Sequence, residues 1–454
     1  MNHTKYRHIK LWLVVVISIV FWTLGTGFYG NLSADNKETY EGLKIFSDVI
    51  ELIEKNYVEE VESKTLIEKA IQGMVQSLDP HSALLPPEAF EDLNIDTKGK
   101  FTGIGIHITM RDGFVTVISP IEGTPAYKAG ITALDRIIKV DGKPVTDIRE
   151  AVNMMRGPKG TPVTVSVQRQ GVSELIEFNL IRDVIPIESV KASILKPGYG
   201  YIRITNFNSE TTKDLKKALK ELESGEDPFK GLILDFRDNG GGLLDQAIKV
   251  TDEFLDDGTI LSIRGRHQRN TREFKAHPLE VSRDYPIVAL INGGSASASE
   301  IVVGALQDHK RALVLGTTSF GKGSVQTIET LRDGYGLKLT IAQYYTPSGK
   351  SIQAKGIEPD IVVTRRFADE DGPEMEQNRL KEKDLKNHLE AEPDDRNPRK
   401  KESDNKEEKN KRINKQRLEF RIGPLSAENL RTDNQIMRAL EILISYDIFE
   451  KKRG

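Results

Sequence analysis

The sequence predicts an α/β multidomain protein in which a small β-rich module precedes a larger core of alternating strands and helices. Three observations carry this reading. An uncharged apolar segment opens the chain, period-two alternation begins near Ile104, and from residue 185 onward short apolar runs alternate with helical patterns. With 454 residues the chain is long enough for two to four domains. Its 65 basic and 68 acidic residues leave a formal charge of −3, which gives no global attraction to nucleic acid. Cysteine is absent, so disulfides, thiolate metal sites and a cysteine nucleophile are excluded.

Lys5, Arg7 and Lys10 precede residues 11–29, an uncharged run rich in Leu, Val, Ile, Phe and Trp. As a helix this run would span about 28 Å, close to the hydrocarbon thickness of a bilayer. Residues 1–35 are therefore expected to be a signal peptide or an uncleaved signal anchor, placing the rest of the chain outside the cytoplasm, in the periplasm or another extracytoplasmic space. Residues 36–96 follow as a helical module, with apolar spacing at Leu43, Phe46, Ile50, Ile53 and Tyr57 and again at Leu66, Ala70 and Met74. Pro80 ends the second helix, and His81 reads as a turn residue.

Residues 97–184 switch to strand periodicity, with short helices predicted at 125–129 and 148–155 and late strands at 163–168 and 175–181. This arrangement resembles a PDZ domain. In that resemblance Gly103, Ile104, Gly105 and Ile106 match the loop whose N–H groups hold a peptide's terminal carboxylate while the next strand pairs with the peptide.

Residues 185–367 form the α/β core. Within it, Asn292-Gly-Gly-Ser-Ala-Ser-Ala-Ser-Glu300 lies where an apolar strand ends and a helix begins, so its unpaired N–H groups and helix dipole favour an oxyanion. Ser295, Ser297 and Ser299 compete as nucleophile, and Ser297-Ala-Ser-Glu300 also fits a helix capping box. Phe320-Gly-Lys-Gly323 offers Lys322, fenced by glycines and free of nearby acids in sequence. A lysine acts as a base only where desolvation keeps its amine neutral. Gly316 to Lys322 nearly completes a phosphate-binding loop, but Gly323 stands where a hydroxyl is needed and a strand follows instead of a helix.

Taken together, Ser77-Leu-Asp-Pro-His-Ser82, the PDZ segments, Gly231 to Gly242, the serine block and Phe320 to Gly323 resemble the C-terminal processing peptidases, or tail-specific proteases. The resemblance implies a ClpP/crotonase-like core with an inserted PDZ domain and a serine-lysine dyad needing no metal or cofactor. It implies Ser297 as nucleophile, Lys322 as general base, Gln326 as the group orienting the amine, and the N–H groups of Ala298 and Gly241 as the oxyanion hole. Arg169 is a candidate for coupling PDZ occupancy to catalysis. The expected partners are proteins or peptides with accessible C-termini, with a lipoprotein or adaptor activator and a homo-oligomer also implied. A PDZ scaffold that has lost catalysis is the alternative. Residues 368–417 are too charged to build a core and read as a disordered linker, and 418–454 as a C-terminal helical segment.

Overall fold

A computed structural model describes residues 38–366, 380–390 and 427–452, so the apolar segment at 11–29 and most of the charged linker lie outside the described residues. Among the described residues no helix is long and apolar enough to cross a membrane. The chain divides after Ser77 into two compact units. The first holds two helices, residues 38–56 and Ser63–Gln76.

In the second unit, strand Ala83–Leu85 and helix Pro87–Lys98 extend a region the sequence suggested would close with the helical module at residue 96. Proline at the start of this helix and Gly99 at φ +66° after it set both ends. The PDZ sheet is antiparallel in the order Ile106–Arg111, Phe114–Pro120, Arg136–Val140, Pro162–Gln168, Ile176–Ile181. Helices Pro125–Ala129 and Ile148–Met155 fall where glycine and proline punctuation predicts them. Asp147 caps the latter by accepting from the N–H groups of Arg149 and Glu150. Alternate residues of the strands, among them Val115, Val117, Ile137, Val163, Val165 and Val167, close over Ala126 and Ala151 of the two helices.

The larger α/β core is built on a six-stranded sheet in chain order: Val190–Lys196, Tyr199–Ile204, Gly231–Asp235, Ile287–Ile291, Ala312–Gly316 and Ile361–Val362. Its first pair is antiparallel and the rest are parallel. Gly231–Asp235 and Ile287–Ile291 are buried throughout, as central parallel strands covered on both faces must be. One face carries helices Thr211–Glu223, Leu244–Asp252 and Ala298–Asp308 in a shared apolar cluster. A second sheet, containing Thr259–Gly265, Ser324–Thr330 and the long strand Gly336–Tyr345, adds Ile260, Ile263, Ala342 and Tyr344 to the same cluster.

On the opposite face, helix Asn434–Lys451 lays Ile436, Ala439, Leu440 and Leu443 onto Tyr201, Ile233, Val288 and Leu315. Each of the larger side chains contributes about 2 kcal/mol by burial.

Candidate active site

Strand Ile287–Ile291 runs into a turn that starts helix Ala298–Asp308, and the three candidate serines separate there. Ser295 is fully buried; its hydroxyl donates to the Phe236 carbonyl at 2.8 Å and accepts from the Asn292 N–H at 3.0 Å. Ser299 is also buried, donating to the Asn239 carbonyl at 3.0 Å. Only Ser297 keeps partial exposure, and its backbone sits at φ +54° and ψ −112°. Such a conformation costs a residue with a Cβ on the order of 1–3 kcal/mol, and it turns the side chain outward from a sharp strand-to-helix corner. The capping motif coexists with this role, because Glu300 reaches back to accept from the Ser297 N–H at 2.8 Å.

Glu300 does more than cap. It is buried, and the oxygen that takes the Ser297 N–H also takes the Lys322 N–H at 3.0 Å. Its other oxygen accepts from the Ser319 hydroxyl and from the Gly321 N–H at 2.8 Å. One carboxylate therefore ties the serine turn to the lysine loop. Burial lifts its pKa to about 7, against these four donors, which favour the anion. The Lys322 amine is pushed down to about 8, first by burial and then by the like charge of Lys338. Glu382, Glu300 and Asp79 pull it the other way.

The buried Tyr344 hydroxyl donates to the Lys322 carbonyl and stands beside the Ser297 hydroxyl. Among the described residues no hydrogen bond joins the Ser297 hydroxyl to the Lys322 amine, a contact that in unliganded enzymes often forms only when substrate closes the site.

Gly241 lies against the nucleophile: a Cβ there would meet Ala296 O at 2.9 Å, Ser297 Cβ at 2.9 Å and Ala298 N at 3.0 Å. Its φ of +102° is a conformation few residues other than glycine adopt. In this structure the Gly241 N–H donates to Asn239 Oδ1 at 2.9 Å. The loop that carries it is fixed by Arg237, wholly buried and forked onto Asp235 at 2.9 and 2.6 Å. Arg237 also reaches Asp433 at 2.9 Å and Gln435 at 2.7 Å, at the start of the C-terminal helix. Burial opposes the charge of Asp235, but Arg237 and Arg203 outweigh it and hold that carboxyl well below the usual range.

Residues 198–363 match peptidase family S41, residues 102–180 match the PDZ domain, and residues 29–88 match the N-terminal domain of the activating protease CtpB. The carboxy-terminal-processing protease of Bartonella bacilliformis is 48% identical over 338 residues, covering 73% of this chain and 78% of that protein. The chain belongs to the carboxy-terminal processing peptidases of family S41. The Bacillus subtilis carboxy-terminal processing protease CtpA is 36% identical, over 78% of this chain and 77% of that protein. The solved structure of a photosystem II D1 C-terminal processing protease is 32% identical, covering 70% of this chain and 92% of that chain, with a TM-score of 0.41.

Two side chains expected at this S41 site have other partners. Gln326 donates to Ser324 Oγ at 2.9 Å and to Thr340 Oγ1 at 3.3 Å, and it makes no hydrogen bond to Lys322 among the described residues. A register shift between Val325 and Gln326 changes the phase of the strand here and re-aims the side chain along the sheet. Arg169 forks onto buried Asp135 at 2.8 and 2.7 Å and caps the Gly130 carbonyl at 2.9 Å. These contacts lie within the PDZ domain.

The PDZ groove does have the anticipated form. Gly105 takes φ +79°, its carbonyl accepts from the Ile121 N–H, and the Ile104 carbonyl accepts from the Ala126 N–H. Ile106–Arg111 is the sheet's edge strand, with helix Ile148–Met155 packed near it. Sequence reasoning missed Tyr344, Asn239 and the joining role of Glu300. The S-x-x-E spacing was the one available signal for the last.

Proposed function

We infer that this chain is an exported serine endopeptidase of the C-terminal processing type, with a core of ClpP/crotonase type, that recognises C-terminal tails through its PDZ domain. The observation that carries the site assignment is the sharing of one Glu300 oxygen by the N–H groups of Ser297 and Lys322, with Ser297 alone among the three serines partly exposed.

In this reading the neutral Lys322 amine takes the proton of the Ser297 hydroxyl as its oxygen attacks a peptide carbonyl carbon. The oxyanion is held by the Ala298 N–H at the helix start and by the Gly241 N–H, which leaves Asn239 to do so. The lysine then gives its proton to the departing amine. Water enters, loses a proton to Lys322 and attacks the acyl carbon; the ester bond breaks, the acyl group leaves as a carboxylic acid, and Lys322 returns the proton to the Ser297 oxygen. Gln326, four residues beyond Lys322, is the group that orients the amine once substrate is bound. An extended tail would add as a strand beside Ile106–Arg111, its carboxylate near Gly103 to Ile106.

An apolar segment at 11–29 behind three basic residues supports an extracytoplasmic location with an N-terminal anchor. The match of residues 29–88 to the N-terminal domain of an activating protease supports an adaptor or lipoprotein partner, and a homo-oligomer is part of the same reading.

The test is cleavage of an unstructured protein ending in apolar residues by the full chain, beside Ser297→Ala and Lys322→Ala. The parent should cut and neither variant should. Equal cutting by all three removes the dyad, and slower cutting of a tail-amidated substrate would tie the PDZ groove to recognition.

A further inference from the structure

Beyond the peptidase domain, which ends at residue 363, the chain returns to the active site. Residues 380–390, expected to be disordered linker, are folded, with a short helical turn at Glu382–Asp384. The Glu382 side chain is fully buried in the interior. Its two oxygens lie 2.9 and 2.7 Å from His81 Nε2, and Gln353 Nε2 donates to it at 2.9 Å. Its N–H donates to the Phe320 carbonyl at 3.2 Å, while Gln353, also buried, accepts from the Gly323 N–H at 2.9 Å and donates to the Leu389 carbonyl at 3.1 Å. The Lys322 loop is therefore gripped twice. Glu300 holds the Gly321 and Lys322 N–H groups, and the Glu382 segment holds the residues on either side.

We propose that Glu382 is a positioning residue for Lys322: through Phe320, Gln353 and His81 it fixes the loop that presents the amine, and its carboxylate acts on that amine through its charge. The proposal rests on Lys322 being the general base. A buried carboxylate without Gln353 and His81 would be costly, so these three side chains form a unit that holds its shape or fails together. That gives residues 380–390 a reason to fold within a charge-rich stretch of sequence.

Glu382 also acts through its charge. The ionisable groups that act on the Lys322 amine are Lys338, which disfavours the ammonium, and Glu382, Glu300 and Asp79, which favour it. Against the Glu382 carboxylate stand His81 and Gln353. Removing the Glu382 charge leaves the ammonium with one fewer stabilising neighbour, so the amine becomes neutral at a lower pH.

The experiment measures kcat/KM from pH 6 to 10 for the full chain and for Glu382→Gln, Glu382→Ala and Gln353→Leu, with thermal unfolding of each. For Glu382→Gln the rising limb of the profile should move toward lower pH. Glu382→Ala and Gln353→Leu should lower the plateau by about tenfold or more, the loss expected when a base is slightly misplaced. With Gln353→Leu the limb should stay in place, because the charge is retained. A limb that stays fixed in Glu382→Gln overturns the proposal, whether the rate is unchanged or falls only in step with stability. If Lys322→Ala cuts as well as the parent, the assignment of the base is what fails.

Discussion

The charge state of Lys322 decides whether this site can act, and Lys338 gives an independent handle on it. At pH 7 a lysine of pKa about 8 is neutral in about one molecule in eleven, against about one in three thousand at its ordinary 10.5. Placement in the pocket thus raises the supply of free base about three-hundred-fold. Burial contributes most, and the like charge of Lys338 comes next. Lys338 lies on strand Gly336–Tyr345, opposite Ala83 on one side and Ile328 on the other, so replacing it leaves the lysine loop's own hydrogen bonds untouched. The assay is kcat/KM on an unstructured substrate between pH 5.5 and 10. For the parent it should rise about tenfold per pH unit and level off above pH 8, as for a single essential base. Lys338→Met should move the rising limb to higher pH, and Lys338→Glu further, with the plateau unchanged. A parent profile flat from pH 6 to 9, or a limb that ignores both substitutions, would refute the argument that a desolvated amine is the base.

Two more outcomes follow from the same geometry. Because the folded pKa of Lys322 lies below its unfolded value, the amine destabilises the fold below pH 8 and does so progressively less up to 10.5. Lys322→Met should therefore abolish cleavage and raise unfolding stability at pH 7 by up to about 3 kcal/mol, a gain that shrinks between pH 8 and 10.5; urea melts with a lower midpoint than the parent would contradict this. Gly241→Ala should cost activity about a hundredfold or more while substrate binding is retained, since its Cβ would press on Ser297 Cβ and Ala298 N at an unfavourable φ. Steady-state kinetics with unaltered kcat would remove Gly241 from the oxyanion site.

How legible these features were depended on the range of the interactions. The PDZ helices at Pro125–Ala129 and Ile148–Met155 and the strand Gly336–Tyr345 stand out because local punctuation and periodicity mark them. Strand Ala83–Leu85 was not legible: three residues carry no period, and their partner lies some 250 positions away. The family pattern chose Ser297 among three serines, and the structure supplies the physical reason, since the outer two hydroxyls are committed to Phe236 and Asn239. Gln326 and Arg169 have contacts that their local sequence does not announce. Each is a polar side chain whose real partners, Thr340 and Asp135, are brought to it by sheet pairing. Composition averaged over residues 368–417 also hid Glu382, because one buried carboxylate needs only a few matched groups rather than an apolar core.

The Arg237 fork spans nearly two hundred residues of chain, from Asp235 beside the oxyanion loop to Asp433 at the cap of the last helix. During synthesis the loop and Ser297 leave the ribosome long before Asp433 does. Until then the guanidinium lacks the second of its carboxylates and the sheet's outer face stands bare of Ile436, Leu440 and Leu443. The consequence is one of order in time: in a growing chain the loop emerges before the carboxylate that completes its brace.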